Sequence, residues 1–300
     1  QVSKQGFTYV FDRATGKPVW PIEERPVPQS TVPGEKTSPT QPFPTKPPPF
    51  ARQGITEDDI IDFTPEIKAE AKKVLAEYTY GPLFTPPTVV GENGKKGTII
   101  QPGAMGGANW GGAGFDPELG YLFVEASNLY SLGALVKGDP SKGQPEYVGG
   151  NTTGPRLSNG LPVTKPPYGT ITAIDLNKGE IAWQVPHGDG PRDHPQLQHL
   201  NLPPLGASSH TFLSSGGPLV TKTLLFVNQV QTRPDGPGIS STEFFMRAFD
   251  KKTGAVVWEH KMKDPPFGTP MTYEHKGKQY VVVAAGGGGA PAKLIAFGLP

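Results

Sequence analysis

Three stretches of this chain carry the same three residues at the same offsets: Asp12, Gly16 and Trp20; Asp175, Gly179 and Trp183; Asp250, Gly254 and Trp258. Such agreement marks a repeating supersecondary unit. Each copy reads as a hairpin. An apolar strand ends at Asp, whose carboxylate accepts turn N–H groups; Gly takes a positive-φ position; the return strand carries Trp. A degenerate fourth copy keeps Asp116 and Gly120 but has Val124 where the Trp would stand. A sheet built on one such hairpin cannot bury both faces alone, so the units must stack. Radial stacking of four-stranded sheets gives a β-propeller.

The rest of the chain agrees with an all-β reading. Short apolar runs bounded by turn residues predict strands over 97–100, 120–125, 169–175, 181–185, 218–227, 244–250, 256–261, 268–274 and 279–284. Two segments interrupt the pattern. Eleven prolines lie between Pro18 and Pro49, so 21–53 is expected to be a polyproline-like loop unable to donate to a ladder. One surface helix is predicted over 65–79, with Thr64 as N-cap, Pro65 in its first turn, and Ile67, Ala71, Val74, Leu75 and Tyr78 on one face. Residues 1–300 then form one propeller domain with these two insertions. The chain outside the insertions has room for at least four blades at about 40–50 residues each. The first hairpin stands so close to residue 1 that the chain is expected to be a fragment, the C-terminal blades of a longer propeller.

Composition excludes several functions. Lys and Arg number 28 against 27 Asp and Glu, a net charge of +1, so no basic field exists to grip nucleic acid. Cys is absent, which removes disulfides, thiolate metal sites and thiol nucleophiles. No stretch approaches the roughly 20 apolar residues that span a bilayer, and the first residues lack a secretory signal pattern.

The hairpins resemble the tryptophan-docking motifs of quinoprotein dehydrogenases, eight-bladed propellers that bind pyrroloquinoline quinone (PQQ). Thr40 to Phe43, Leu83 to Pro87, Pro102 to Gly112, and Thr269 to Tyr273 leading to Gly277 and Tyr280 are similar to the C-terminal half of the membrane-associated glucose- and quinate-type members. The resemblance implies oxidation of a hydroxyl of a sugar, polyol or alcohol, with electrons passing through PQQ to a membrane quinone or a cytochrome. It also implies a Ca²⁺ or Mg²⁺ ion, a periplasmic location, and membrane association through an N-terminal part preceding this sequence. The rest of the propeller is then a partner. The resemblance implies that the family's catalytic base lies upstream of residue 1 and its metal ligands mostly so, and no catalytic or metal residue is assigned here.

The same resemblance places four cofactor-binding residues. Lys4 matches the cation that hydrogen-bonds the ortho-quinone oxygens. Asn109 and Trp110 match an Asn-Trp step at the cofactor edge, and Asn128 a further amide. Gly288 stands where glucose-type relatives place a His and alcohol-type relatives a Trp, which implies a substrate-adjacent position with room for a bulkier substrate. By their own sequence context Asp12, Asp175 and Asp250 are turn residues. His187, His194 and His199 are expected on a surface loop, because their spacing fits no metal-ligand pattern. The alternative function is a noncatalytic propeller scaffold for protein assembly, which needs neither Lys4, the Asn-Trp step nor the Pro-rich excursion.

Overall fold

The computed structural model describes residues 1–207, 216–236, 239–287 and 289–298, with the side chains of 233–236, 239 and 290 excepted. In chain order its elements begin with a two-stranded ribbon, β1 (Ile22–Pro26) and β2 (Thr40–Pro44), followed by helix α1 (Pro65–Leu75). Then come β3 (Thr88–Val89), β4 (Thr98–Ile100), β5 (Gly114–Asp116), β6 (Tyr121–Ser127), β7 (Ser131–Lys137), β8 (Tyr147–Gly149), β9 (Gly169–Asp175) and β10 (Glu180–Pro186). The remainder is β11 (Leu219–Val220), β12 (Leu224–Gly236), β13 (Ile239–Asp250), β14 (Val256–Met262), β15 (Pro266–His275), β16 (Lys278–Gly287) and β17 (Ala290–Gly298).

Three of the sheets are blades. Strands β5-β6-β9-β10 form one meander, β11-β12-β13-β14 the next, and β15-β16-β17 a three-stranded third. They pack face to face through apolar side chains. Phe123, Ile171 and Ala173 of the first meet Leu225, Val227 and Phe249 of the second; Met246 and Met262 of the second meet Val281, Val283 and Ala285 of the third. This stacking explains why β9 is buried at every residue while the outer strand β10 alternates: an inner strand has neighbours on both faces. The mostly β architecture of stacked four-stranded sheets agrees with the propeller expected from the repeat.

The repeat works as its chemistry suggests. Asp12, Asp175 and Asp250 each accept turn amides through Oδ1, and Gly16, Gly179 and Gly254 sit at φ of 68–75°. Trp20 lies against Gly179, where a Cβ would be 2.8 Å from the ring, and Trp183 lies against Gly254 at 2.7 Å by the same measure. The first hairpin is thereby keyed to the turn of the first blade and the first blade to the turn of the second, whereas Trp258 stands edge-on to Phe297. The degenerate copy is different. Asp116 and Gly120 form the turn between β5 and β6, within the sheet that also holds Asp175, so this copy marks no separate blade. The described blades number two of four strands and one of three, preceded by the Asp12 hairpin.

The helix starts as predicted, with Thr64 Oγ1 accepting Ile67 N at 3.3 Å, but ends at Leu75 rather than 79. Its buried face, Ile67, Ala71 and Leu75, joins Ile60, Ile61, Leu157, Leu161 and Val163 in a cluster beside the blades. The Pro-rich segment departs from expectation: β1 and β2 pair antiparallel from Ile22↔Pro44 to Pro26↔Thr40. A lone two-stranded ribbon has two free edges, where a proline without an N–H costs no ladder bond. His187 and His194 are buried, at 1% and 4% exposure, in contrast to the surface loop expected for them. His194 contacts Asn159 O and accepts Gln196 N, and His187 lies edge-on to Phe249.

Candidate functional site

The connection between β4 and β5, residues 103–112, gathers most of the predicted positions. It holds Lys4 by the backbone, because Gly107 N donates to Lys4 O at 2.7 Å. Lys4 Nζ in turn donates to Ala104 O at 3.1 Å, and its side chain is exposed. The loop is anchored from below by Ser127 N donating to Gly107 O, and at its start by Gly103 N donating to Leu129 O.

Asn109 and Trp110 lie on the same loop with different roles. Asn109 Nδ2 donates to Met105 O and its Oδ1 accepts Trp110 N, both at 2.9 Å. Its amide therefore shapes the loop. Trp110 is 76% exposed, an unusual state for the largest apolar side chain and one that leaves its ring face open to a ligand. Lys4 and Trp110 thus carry the free functional groups at this place, a cation and an aromatic face.

Asn128, expected as a further cofactor amide, is 5% exposed and engaged at both ends. Its Oδ1 accepts Arg52 N at 2.8 Å, and Nδ2 donates to Pro167 O at 2.9 Å. The residue sits behind the loop and ties three chain segments together. Gly288 lies outside the described residues.

Beyond Trp110 the loop meets the starts of the inner strands of the next two blades. A Cβ on Gly217 would lie 2.1 Å from Gly111 O, and one on Gly216 the same distance from Gly268 O. Gly217 N donates to Thr269 Oγ1 at 2.8 Å. The loop, the segment leading into β11, and β15 are brought into backbone contact by glycines, whose missing side chains permit the approach. On the open side, a Cβ at Gly268 would meet nothing within 4 Å. The loop that holds Lys4 thus also carries an exposed indole next to a glycine-paved backbone floor, a set of groups whose chemistry suits a planar, anionic ligand.

Two buried polar pairs escaped the sequence reading. Glu125 Oε1 lies 3.4 Å from His187 Nδ1, and burial pushes the Glu125 carboxyl well above the usual carboxylate range. Lys251 pairs with Asp116. The signal for the first was available, a carboxylate inside the apolar run from Phe123 to Ala126. Among the described residues no group of three or more His, Asp or Glu side chains is placed to hold a metal ion.

Comparison with known proteins gives the same family as the motifs. Residues 1–281 match the model of the PQQ glucose/ethanol/alcohol dehydrogenase β-propeller domain. The chain is 33% identical to the quinate/shikimate dehydrogenase (quinone) of Acinetobacter baylyi, covering 95% of this chain and 35% of that protein. It is 32% identical to the glycerol dehydrogenase large subunit of Gluconobacter thailandicus, covering 95% and 40%. With the quinoprotein glucose dehydrogenase of Gluconobacter oxydans the figures are 31%, 99% and 38%. The chain therefore spans well under half the length of these relatives. Taken with the keyed Asp-Gly-Trp hairpins, these matches show that the chain belongs to the PQQ-dependent glucose/ethanol/alcohol dehydrogenase β-propeller family.

Proposed function

We propose that this chain forms part of a PQQ-dependent oxidoreductase that oxidises a hydroxyl of a sugar, polyol or alcohol and passes the electrons to a quinone or a cytochrome. When bound, PQQ supplies the two-electron acceptor, with a divalent ion polarising its carbonyl as a Lewis acid. The chain's own part is electrostatic and positional. Lys4 would hold an ammonium toward the quinone oxygens, and a cation already fixed in place stabilises negative charge without reorganisation. Trp110 supplies an aromatic wall, and the glycine floor lets backbone come within contact of a flat ring. We further propose a periplasmic location, with membrane attachment through another part of the protein; among the described residues no helix is long and apolar enough to cross a membrane.

The single observation that supports this reading most is the exposed Lys4 ammonium held by the same 103–112 loop that carries the exposed Trp110. A noncatalytic scaffold has no use for that arrangement. Replacement of Lys4 by Ala in the PQQ-loaded enzyme is the test. Loss of one preorganised donor lowers kcat by about 10²–10³, with a smaller loss of PQQ affinity, and Lys4→Arg should keep part of the activity because the charge survives in a different geometry. Turnover of Lys4→Ala within twofold of the parent removes the role given to Lys4.

A further inference from the structure

We infer that Gly106 is the positioning residue for Lys4, acting through the absence of a side chain; the inference rests on the cofactor role proposed above for Lys4. Gly106 is buried, with φ at +85°. A Cβ at this position would lie 2.6 Å from Lys4 Cγ and 2.8 Å from Lys4 Cβ, as well as 2.6 Å from Ala108 O. These distances are far inside van der Waals contact, so the Lys4 stem occupies the space that any other residue at 106 would fill. The neighbouring bonds leave the stem little freedom to give way. Gly107 N fixes the Lys4 carbonyl at 2.7 Å, Gly106 N is held by Gly103 O at 2.8 Å, and Ala104 O receives the ammonium.

Backbone and side chain of Lys4 are thus clamped by one loop turn, with Gly106 as the floor under the methylene stem. An electrostatic donor acts only while it stays aimed at the developing charge, and a displacement of about 1 Å can cost up to 10²-fold in rate. A side chain at 106 must either push the Lys4 stem away or open the turn that carries Asn109 and Trp110.

The test is a double-mutant cycle in the full protein, because coupling between two positions appears as non-additivity. Turnover and PQQ affinity, the latter by quenching of tryptophan fluorescence, would be measured for Gly106→Ala, Lys4→Ala and the double variant. Gly91→Ala serves as the control: Gly91 has a similar φ of +89° but open space around it, so it shares the backbone strain without touching Lys4. The expected result is a loss of about tenfold or more in turnover for Gly106→Ala, with weaker PQQ binding. In the Lys4→Ala background the same change should alter either quantity less than twofold, and Gly91→Ala should alter neither. Should Gly106→Ala fail to fold, the same change is made together with Lys4→Gly, which removes both stem atoms that the new Cβ meets; recovery of folding in that pair is the expected result, and continued failure overturns the inference. An impaired Lys4→Ala enzyme with an additive cycle, or an equal loss in Gly91→Ala, overturns this inference alone. A Lys4→Ala enzyme identical to its parent overturns the cofactor role of Lys4 and this inference with it.

Discussion

Lys251 Nζ lies 2.5 Å from Asp116 Oδ2, and the two side chains are 5% and 2% exposed. The pair joins two blades, since Asp116 ends β5 and Lys251 stands in the turn between β13 and β14. The Lys251 carbonyl also accepts Trp183 Nε1 at 3.2 Å. Burial alone would push the Asp116 carboxyl up, but Lys251 and the amides of Glu118 and Leu119 outweigh it and hold the group below the usual range. Lys251→Met leaves a buried carboxylate without its counter-charge and should cost about 3–5 kcal/mol in urea unfolding, while adding Asp116→Asn should restore most of it. A folded-state pKa below the unfolded one gives stability that is present above the unfolded value and lost as pH falls through the folded one. The parent should therefore lose more stability than the double variant as pH drops below about 4.

The contact of Trp183 with Gly254 gives a second expectation. Gly254→Ala forces a side chain to φ +75° and puts its Cβ 2.7 Å from Trp183 Cε3. Left-handed strain of about 1–2 kcal/mol then adds to overpacking of about 1–3 kcal/mol. Gly277→Ala, at φ +73° with open space, should lower the Tm by the strain alone. Equal Tm losses for the two variants would show that the tryptophan contact contributes nothing.

Glu125 predicts a pH dependence of the opposite sign. It is 5% exposed, and desolvation raises its carboxyl well above the usual range. The folded state then keeps a proton that the unfolded chain gives up above about pH 4.3, so this residue makes stability fall as pH rises toward the folded value. Glu125→Gln removes the titrating group. Urea midpoints of the variant should decline less between pH 5 and 8 than those of the parent, and parallel declines would refute the assignment.

Asn128 separates a brace from a ligand contact. Asn128→Ala leaves the Arg52 amide and the Pro167 carbonyl without their partners, at about 1–3 kcal/mol for each buried group left unsatisfied. Thermal unfolding should register this loss. PQQ affinity measured at a temperature where the variant is fully folded should change less than threefold. A large loss of affinity with unchanged Tm would return Asn128 to the cofactor.

The hairpins were legible because each residue of the repeat has a local cause: a carboxylate caps a turn, a glycine takes positive φ, and both reasons hold wherever the motif occurs. That generality also misled. Asp116 and Gly120 satisfy the same turn chemistry at the hairpin between β5 and β6, and only strand pairing reveals that this turn shares a sheet with Asp175. β17 went unseen because it follows a glycine run, contains Pro291 and ends at Gly298. Lys4 and Trp110 were singled out by family resemblance rather than by residue type, and the structure adds that both side chains are exposed. At Asn109 and Asn128 the type was visible, but the atoms that engage each amide come from Met105 and from Arg52 and Pro167, and no local pattern reports them. The Lys251–Asp116 pair joins residues far apart in sequence and could be known only from the fold.

The two Trp-on-Gly contacts differ in one respect. Trp20 reaches Gly179 across more than twice the sequence separation that divides Trp183 from Gly254, because the ribbon, α1 and the 103–112 loop all lie between. For a flexible connection, closure entropy grows only with the logarithm of length, so that extra chain adds about 0.7 kcal/mol to bringing the partners together. A docking contact specified by the two hairpins themselves is nearly indifferent to what joins them. The seam between the first hairpin and the next blade is thus a place where the fold can host long intervening sequence at little thermodynamic penalty, and the loop that carries Trp110 and cradles Lys4 lies within that stretch.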